Sequence, residues 1–571
     1  MLGNEHPIQC AMCKLGIATV RTIMLNPIVF TIIKNAGHSA CSSTFTNGTV
    51  QCDGLVKYNV PGFKAGLKAT VFSPSYACEV LIESCSNSRY VRKIAEDTVT
   101  EYLADKPVSI QSNDYLNNLY ASIAGQTGRE TIKAIHWTDP HIDMYYQIGS
   151  AQTCNLMTCC RAINGFPTEV EEQAGIYGGD MCDTPEITVR ETLKEIKRSH
   201  SDAQLFFLTG DFSPHDMYRI TLKESISAVT IVTDIINEEL AGMDISYYPI
   251  HGNHDTWPLN VQDFDRPYDN KAIDHFAAAW ASWLPKDAIK LYRKYGYYST
   301  PLTLKDGTVL GKTRLIAINT QACNVGNWYM MKNIYDPGQQ IAWLEKELRE
   351  VEAENGQVII ISHFTTTIEC VHGWGHRFRG LMDRFQHIIR PSYYGHVHEE
   401  EIQVVRSIGD NKNINFNFYA GSVTPHKSHN PCFDVITLDK EYMIPINIQS
   451  YTFDLKAANA AGSVTWELQR EYLSYYGIAD LRPDNLFSIA EDVLNSETAA
   501  IQYDYDRMRR YGEKKAECDL ACRTEMYCFM TTSETLQWKL CQGRLLNDYI
   551  ASPLNRIENV IIDEWYEKKF W

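Results

Sequence analysis

The chain has 571 residues, 44% hydrophobic and 22% charged, which describes about two to four folded globular units and excludes a disordered or fibrous protein. A formal charge of -17 argues against nucleic acid as a partner, because a polyanion would be repelled. No apolar run approaches the roughly 18 residues of a spanning helix, and Met1 to His6 lack the apolar core of a signal peptide. Seventeen cysteines are many for a reducing cytosol. With the one sequon, Asn47-Gly48-Thr49, they point to a secreted or lysosomal protein with Asn47 as glycan acceptor.

Residues 1–88 read as a small all-α unit. Cys10, Cys13, Ile17, Val20 and Met24 recur at three and four, on one helix face, and Cys78 and Cys85 lie two turns apart on another. Cys41 and Cys52 fall between them. Six cysteines permit many pairings, and the CxxC of Cys10 and Cys13 alone is also a metal or redox pattern. Order and spacing resemble the saposin-B family. That resemblance implies a nested pairing, Cys10 with Cys85 and Cys13 with Cys78, and a central hairpin closed by Cys41 with Cys52. It also implies a lipid-facing domain that opens against membranes.

Residues 89–130 are polar, without a strong period, and read as a linker with some helix. From 131 short apolar runs end in polar residues: Ile132 to Trp137, Gln204 to Thr209, Ile245 to Ile250, Arg314 to Asn319, Val358 to Ser362 and Ser392 to Tyr394. Helical stretches lie between them, as at Gln339 to Glu354, where Ile341, Leu344 and Leu348 form a stripe. Alternating strands and helices predict a layered α/β domain over 131–455 with its site beyond the strand ends. Residues 456–571 read as a helical, disulfide-bearing subdomain with Trp466, Tyr472, Tyr475 and Tyr476 near its start.

Five short patterns follow the predicted strands in order: Asp139-Pro140-His141, Gly210-Asp211, Gly252-Asn253-His254-Asp255, His363, and Gly395-His396-Val397-His398. Each alone is common, and a lone histidine is more often structural than a ligand. In this order they resemble the calcineurin-like metallophosphoesterases over about 131–455. The resemblance implies a β-sandwich flanked by helices and a pair of divalent ions, zinc by preference, sharing one carboxylate. Asp139, His141 and His398 match the ligands of one ion, Asn253, His363 and His396 those of the other, and Asp211 the bridge. The family's nucleophile is a metal-activated water. His254 matches a phosphate-contacting histidine. His215, four residues after Asp211, is either an exposed loop histidine or the general acid that protonates a leaving alkoxide.

An all-α module, linker, metallophosphatase core and cysteine-bearing tail resemble, in that order, the acid sphingomyelinase family across nearly the whole chain. The segments that carry this are Trp137 to Tyr145, Thr209 to Asp216 with its GDxxxH through His215, and Gly395 to His398. The resemblance implies disulfides Cys154–Cys159, Cys160–Cys182, Cys323–Cys370, Cys518–Cys522 and Cys528–Cys541, leaving Cys432 unpaired. It departs at Asp255, where that family often carries Glu, a change expected to leave the ligands untouched. The expected activity is hydrolysis of sphingomyelin to ceramide and phosphocholine by a monomer that meets the membrane through residues 1–88. The alternatives are a phosphodiesterase acting on nucleotides or other diesters, and a non-catalytic lipid-binding protein. Trp257, Trp328, Tyr329 and Trp374 lie near the motifs, either as choline-facing aromatics or as core.

Overall fold

The computed structural model describes residues 7–44, 48–78, 95–216, 219–333 and 335–543. The twelve strands of the core are β1 (Thr131–Trp137), β2 (Leu205–Leu208), β3 (Ser246–Pro249), β4 (Tyr298–Thr303), β5 (Val309–Ile318), β6 (Gln357–Ser362), β7 (Ser392–Tyr394), β8 (Glu401–Arg406), β9 (Asn413–Tyr419), β10 (Cys432–Asp439), β11 (Pro445–Thr452) and β12 (Glu467–Glu471). They form two six-stranded sheets, ordered β12-β11-β10-β1-β2-β3 and β4-β5-β6-β7-β9-β8. β1, β2 and β3 are parallel, as are β5, β6, β7 and β9, and the remaining pairs are antiparallel.

Side chains alternate across a strand, so the parallel strands need apolar residues at every position. In β6, Ile359 and Ile361 enter the core between the sheets, while Val358 and Ile360 pack with the helices Gln340–Ala353 and His372–Arg384. The sheets meet face to face: Phe207 of β2 stacks on Tyr393 of β7 at 5.2 Å between centroids. Helices Glu186–Ser199 and Leu222–Glu239 add Val189, Leu193, Val229 and Val232 to the same core. The fold is thus a two-sheet sandwich flanked by helices.

Two stretches differ from the sequence reading. The segment read as a linker with some helix carries helices Ala95–Ala104 and Tyr115–Ile123, and differs in that they dock on the core through buried Val99, Tyr102, Leu116 and Tyr120. Tyr120 donates its hydroxyl to the Pro445 carbonyl at 2.8 Å. Its few apolar residues are spaced for one helix face, which the surrounding polar residues obscure. The tail read as helical begins with the helix Leu455–Ala461 but then forms β12, an edge strand in which only Gln469 and Arg470 are buried. No apolar alternation marks it.

At the N-terminal end lie helices Pro7–Met24, Pro27–Thr44 and Gly48–Ala69; Cys41–Cys52 joins the second to the third, and Cys13–Cys78 ties the first to the segment after the third. Cys85, and with it the Cys10–Cys85 pairing, lies outside the described residues, as does Asn47. The third helix rests on the catalytic unit: Tyr58 meets Trp257 at 4.9 Å and Phe63 meets Trp328 edge-on at 4.8 Å. Gly66 permits this approach, since a Cβ there would stand 2.9 Å from the Trp328 carbonyl oxygen. Further disulfides join Cys154 to Cys159, Cys160 to Cys182, Cys323 to Cys370, Cys518 to Cys522 and Cys528 to Cys541; Cys432 is a buried free thiol. Among the described residues no single helix is long and apolar enough to cross a membrane.

Candidate metal centre

The parallel strands of both sheets end on one rim, and the chain leaves each strand through a tight turn there. β1 delivers Asp139 and His141, β2 Asp211, β3 Asn253, β6 His363, and β7 His396 and His398. Five of these seven adopt positive φ: Asp139 49°, His141 35°, Asp211 58°, His396 75° and His398 63°. Such conformations cost about 1–3 kcal/mol each and persist where surrounding bonds fix them. Here the turns are bonded to one another: Asp139 N–H donates to Gly210 O, His141 N–H to Asp211 O and Gly395 N–H to His363 O, at 2.9–3.0 Å. Gly252 is required by close approach, because a Cβ there would collide with the Asp211 carboxylate.

The side chains gather into two groups around a shared atom. Asp211 Oδ1 accepts the His254 backbone N–H at 2.8 Å, leaving Oδ2 free for the site. Oδ2 lies 3.5 Å from His141 Nε2 and 3.1 Å from His363 Nε2. On one side His141 Nε2 is 3.1 Å from His398 Nε2, and Asp139 Oδ1 is 3.8 and 3.5 Å from these two nitrogens. On the other, Asn253 Oδ1 is 2.9 Å from His363 Nε2 and 3.0 Å from His396 Nδ1.

Hydrogen bonds behind the imidazoles fix which nitrogen faces inward. His141 and His363 donate Nδ1–H to the carbonyls of Ser213 and Thr209, each at 2.6 Å, so both present an Nε2 lone pair. His396 is reversed: its Nε2 faces Glu369 Oε2 at 3.3 Å, and Nδ1 points inward. Acceptor therefore faces acceptor at about 3 Å, an arrangement that bound cations resolve. Charge leads the same way. Burial pushes the Asp211 carboxyl well above its usual range, with Asp139 adding to this, and burial also raises Asp139. Burial lowers the His363 imidazole to about 4 and His141 well below its ordinary value. His396 is the exception: burial is outweighed by the Glu369 carboxylate, which pushes it up to about 9. Two buried carboxylates with nitrogen and oxygen donors mixed fit a pair of divalent ions.

Beside this set, His215 is buried and stacked on His141 at 3.8 Å and on His426 at 4.1 Å. It is not an exposed loop residue. Asp183 grips it twice, accepting the His215 N–H at 2.8 Å and lying 2.5 Å from Nδ1. The His254 ring stands 4.7 Å from His215 and 4.9 Å from His141. Burial among these rings, His141 foremost for His215 and His396 for His254, pushes both imidazoles well below their usual value. Asp255 requires a correction: its carboxylate accepts the backbone N–H of Gly252, Asp211, Phe212 and Ser213 at 2.8–3.1 Å, so it holds a ligand-bearing turn directly. Asp183, Glu369 and His426 lie outside the five motifs, and no local pattern in the sequence marks them. Of the four nearby aromatics, Trp374 is core, stacked on Phe378, and Trp257, Trp328 and Tyr329 lie against the N-terminal helices.

Residues 132–400 match the family model of the calcineurin-like phosphoesterases, and residues 412–546 that of the acid sphingomyelin phosphodiesterase C-terminal region. Sphingomyelin phosphodiesterase B of Dictyostelium discoideum is 26% identical, covering 96% of this chain and 84% of its own length. Sphingomyelin phosphodiesterase A of the same organism is 23% identical, covering 95% and 92%. Human cyclic GMP-AMP phosphodiesterase SMPDL3A is 26% identical, covering 74% and 93%. Fold and site define a calcineurin-like phosphoesterase, a metal-dependent phosphodiester hydrolase. Within that class, its C-terminal region matches the acid sphingomyelin phosphodiesterase model, and sphingomyelin phosphodiesterases are among its relatives.

Proposed function

We propose that this protein hydrolyses sphingomyelin to ceramide and phosphocholine. The observation that carries the reading is the match to sphingomyelin phosphodiesterases over 95–96% of the chain, N-terminal helices included. A bilayer lipid needs a module that reaches it, and the exposed apolar faces of those helices suit a saposin-like, membrane-facing role.

Asp139, His141, Asp211 and His398 would hold one ion, and Asp211, Asn253, His363 and His396 the other, zinc by the chemistry of the donors. Two such ions supply Lewis acidity and lower the pKa of a water at the site. In the hydrolysis the water oxygen bonds to phosphorus and gives up a proton to solvent, the bond from phosphorus to the ceramide oxygen breaks, and that oxygen takes up a proton. His215 is the donor of this proton. Asp183 holds its Nδ1–H, so Nε2 carries the transferable one, and an approaching phosphodiester anion favours the protonated ring. His254 contacts a phosphoryl oxygen. The disulfides and acidic surface suit a monomer working in a secreted or lysosomal setting.

The match to a cyclic GMP-AMP phosphodiesterase favours a second reading, a nucleotide diester as substrate, though that relative covers only 74% of the chain. Phosphocholine release from sphingomyelin liposomes, measured beside hydrolysis of ATP, separates the two. Sphingomyelin turnover is expected; activity on the nucleotide alone would replace the first reading with the second.

A further inference from the structure

Large apolar side chains more than half exposed fall, among the described residues, chiefly in two places. Met12, Leu15, Ile23, Ile28 and Ile32 lie on the first two helices. Tyr145, Ile148, Ile163, Phe166 and Val170, 53–74% exposed, lie between β1 and the helix Glu186–Ser199. Elsewhere only Val108, Tyr268 and Leu520 are so exposed. The second cluster belongs to the catalytic unit, and nothing in the hydrolytic chemistry uses it.

Residues 144–182 form a knob of short bridges and single turns. It is stapled by Cys154–Cys159 and Cys160–Cys182 and cross-bonded by Gly149 N–H to Ala174 O and Ala151 N–H to Gly165 O at 2.8–2.9 Å. Such a frame holds apolar side chains in water without collapsing over them. Its two roots stand in the site. It leaves three residues after His141 and returns one residue before Asp183, which holds His215. A cavity of about 590 Å³, lined by Tyr145, Arg161, Pro214 and Asp216, separates it from the loop bearing His215.

Charge narrows the partner. The only basic residue of the knob, Arg161, is tied to Asp143 and Asp216, while Glu169, Glu171 and Glu172 flank Val170 and are exposed. An anionic lipid surface attracts basic clusters and repels this one. A surface without net charge accepts inserted apolar side chains with acidic neighbours left in water.

We propose that the 144–182 knob is the catalytic unit's own contact with a zwitterionic bilayer, separate from the N-terminal helices, and that it sets His141 and His215 at the lipid surface. The inference rests on the reading of the substrate as a membrane lipid. The test uses the full, metal-loaded chain carrying Ile148→Ser, Phe166→Ser and Val170→Ser together, and a second variant, Val170→Trp. Binding is measured on pure phosphatidylcholine vesicles, and turnover on sphingomyelin vesicles and on water-soluble nitrophenyl phosphocholine. The triple variant is expected to lose about tenfold or more in vesicle binding and vesicle turnover, with soluble turnover unchanged. Val170→Trp is expected to bind several-fold tighter, as aromatic side chains favour the interface. Vesicle binding equal to wild type in both variants, preference of wild type for anionic vesicles, or equal loss on soluble and vesicle substrates would each overturn it. If wild type bound phosphatidylcholine through the knob yet released nothing from sphingomyelin, the substrate reading would fall and the contact would stand.

Discussion

Asp211 carries one atom that both halves of the metal centre need, and its two neighbours by distance are histidines already committed to backbone carbonyls. Asp211→Ala is expected to abolish turnover and to lower bound metal below two ions per chain, read by elemental analysis; two ions retained would refute the shared role. Glu369 is the partner that turns His396 around, so Glu369→Gln should weaken binding of one ion about 10–100-fold while sparing the other, seen as a split in a chelator competition. His215→Ala should slow sphingomyelin by about 10²–10⁴ but a nitrophenyl ester far less, because a good leaving group needs no proton. The seven residues proposed as ligands were legible because each follows a strand end in a short motif. Asp183 and Glu369 were not, since they meet His215 and His396 only through space, 32 and 27 residues away in sequence.

Among the elements, the C-terminal helices are tied to the catalytic unit by buried charge. Glu534 accepts from Arg379 at 2.9 Å and lies 2.8 Å from His376 Nδ1, with the Glu534 and Arg379 side chains 3% and 6% exposed. Replacing Glu534 by Gln leaves Arg379 uncompensated and should cost about 3–5 kcal/mol. Burial raises the Glu534 carboxyl, but His376 and Arg379 outweigh it and hold it below its ordinary 4.5. A depressed folded value means stability present above 4.5 and lost as pH falls through that lower value. The Tm gap between wild type and Glu534→Gln should therefore persist at pH 5 and shrink in stronger acid. Deeper in the same region, buried Arg509 donates to the carbonyls of His398 and Asn430, so the C-terminal region helps to hold a ligand-bearing turn. Apolar runs marked the central strands. They did not mark β9, whose Asn415 and Asn417 are buried and bonded to the Ile389 carbonyl and to Gln403.

At the scale of the whole molecule, metal and fold are linked. Ions that bind the native state alone stabilise it by mass action, so chelation should lower Tm and added zinc restore it in proportion to the logarithm of its free concentration. No change of Tm on chelation would mean that the site does not hold ions in the native protein. The N-terminal helices were legible from cysteine spacing, whereas their seat on Trp257 and Trp328 was not, because it pairs surfaces far apart in the chain.

The proposed ligands straddle the seam of the sandwich. Asp139, His141, Asp211 and Asn253 leave the sheet of β1, β2 and β3, and His363, His396 and His398 leave the other. Each ion would draw donors from both. A nascent chain that has made only β1, β2 and β3 owns an incomplete cage for either metal, and the last donor arrives with residue 398. Capture of either ion would thus await both sheets, and a chain in which they have not closed on each other would lack the chemistry those ions supply.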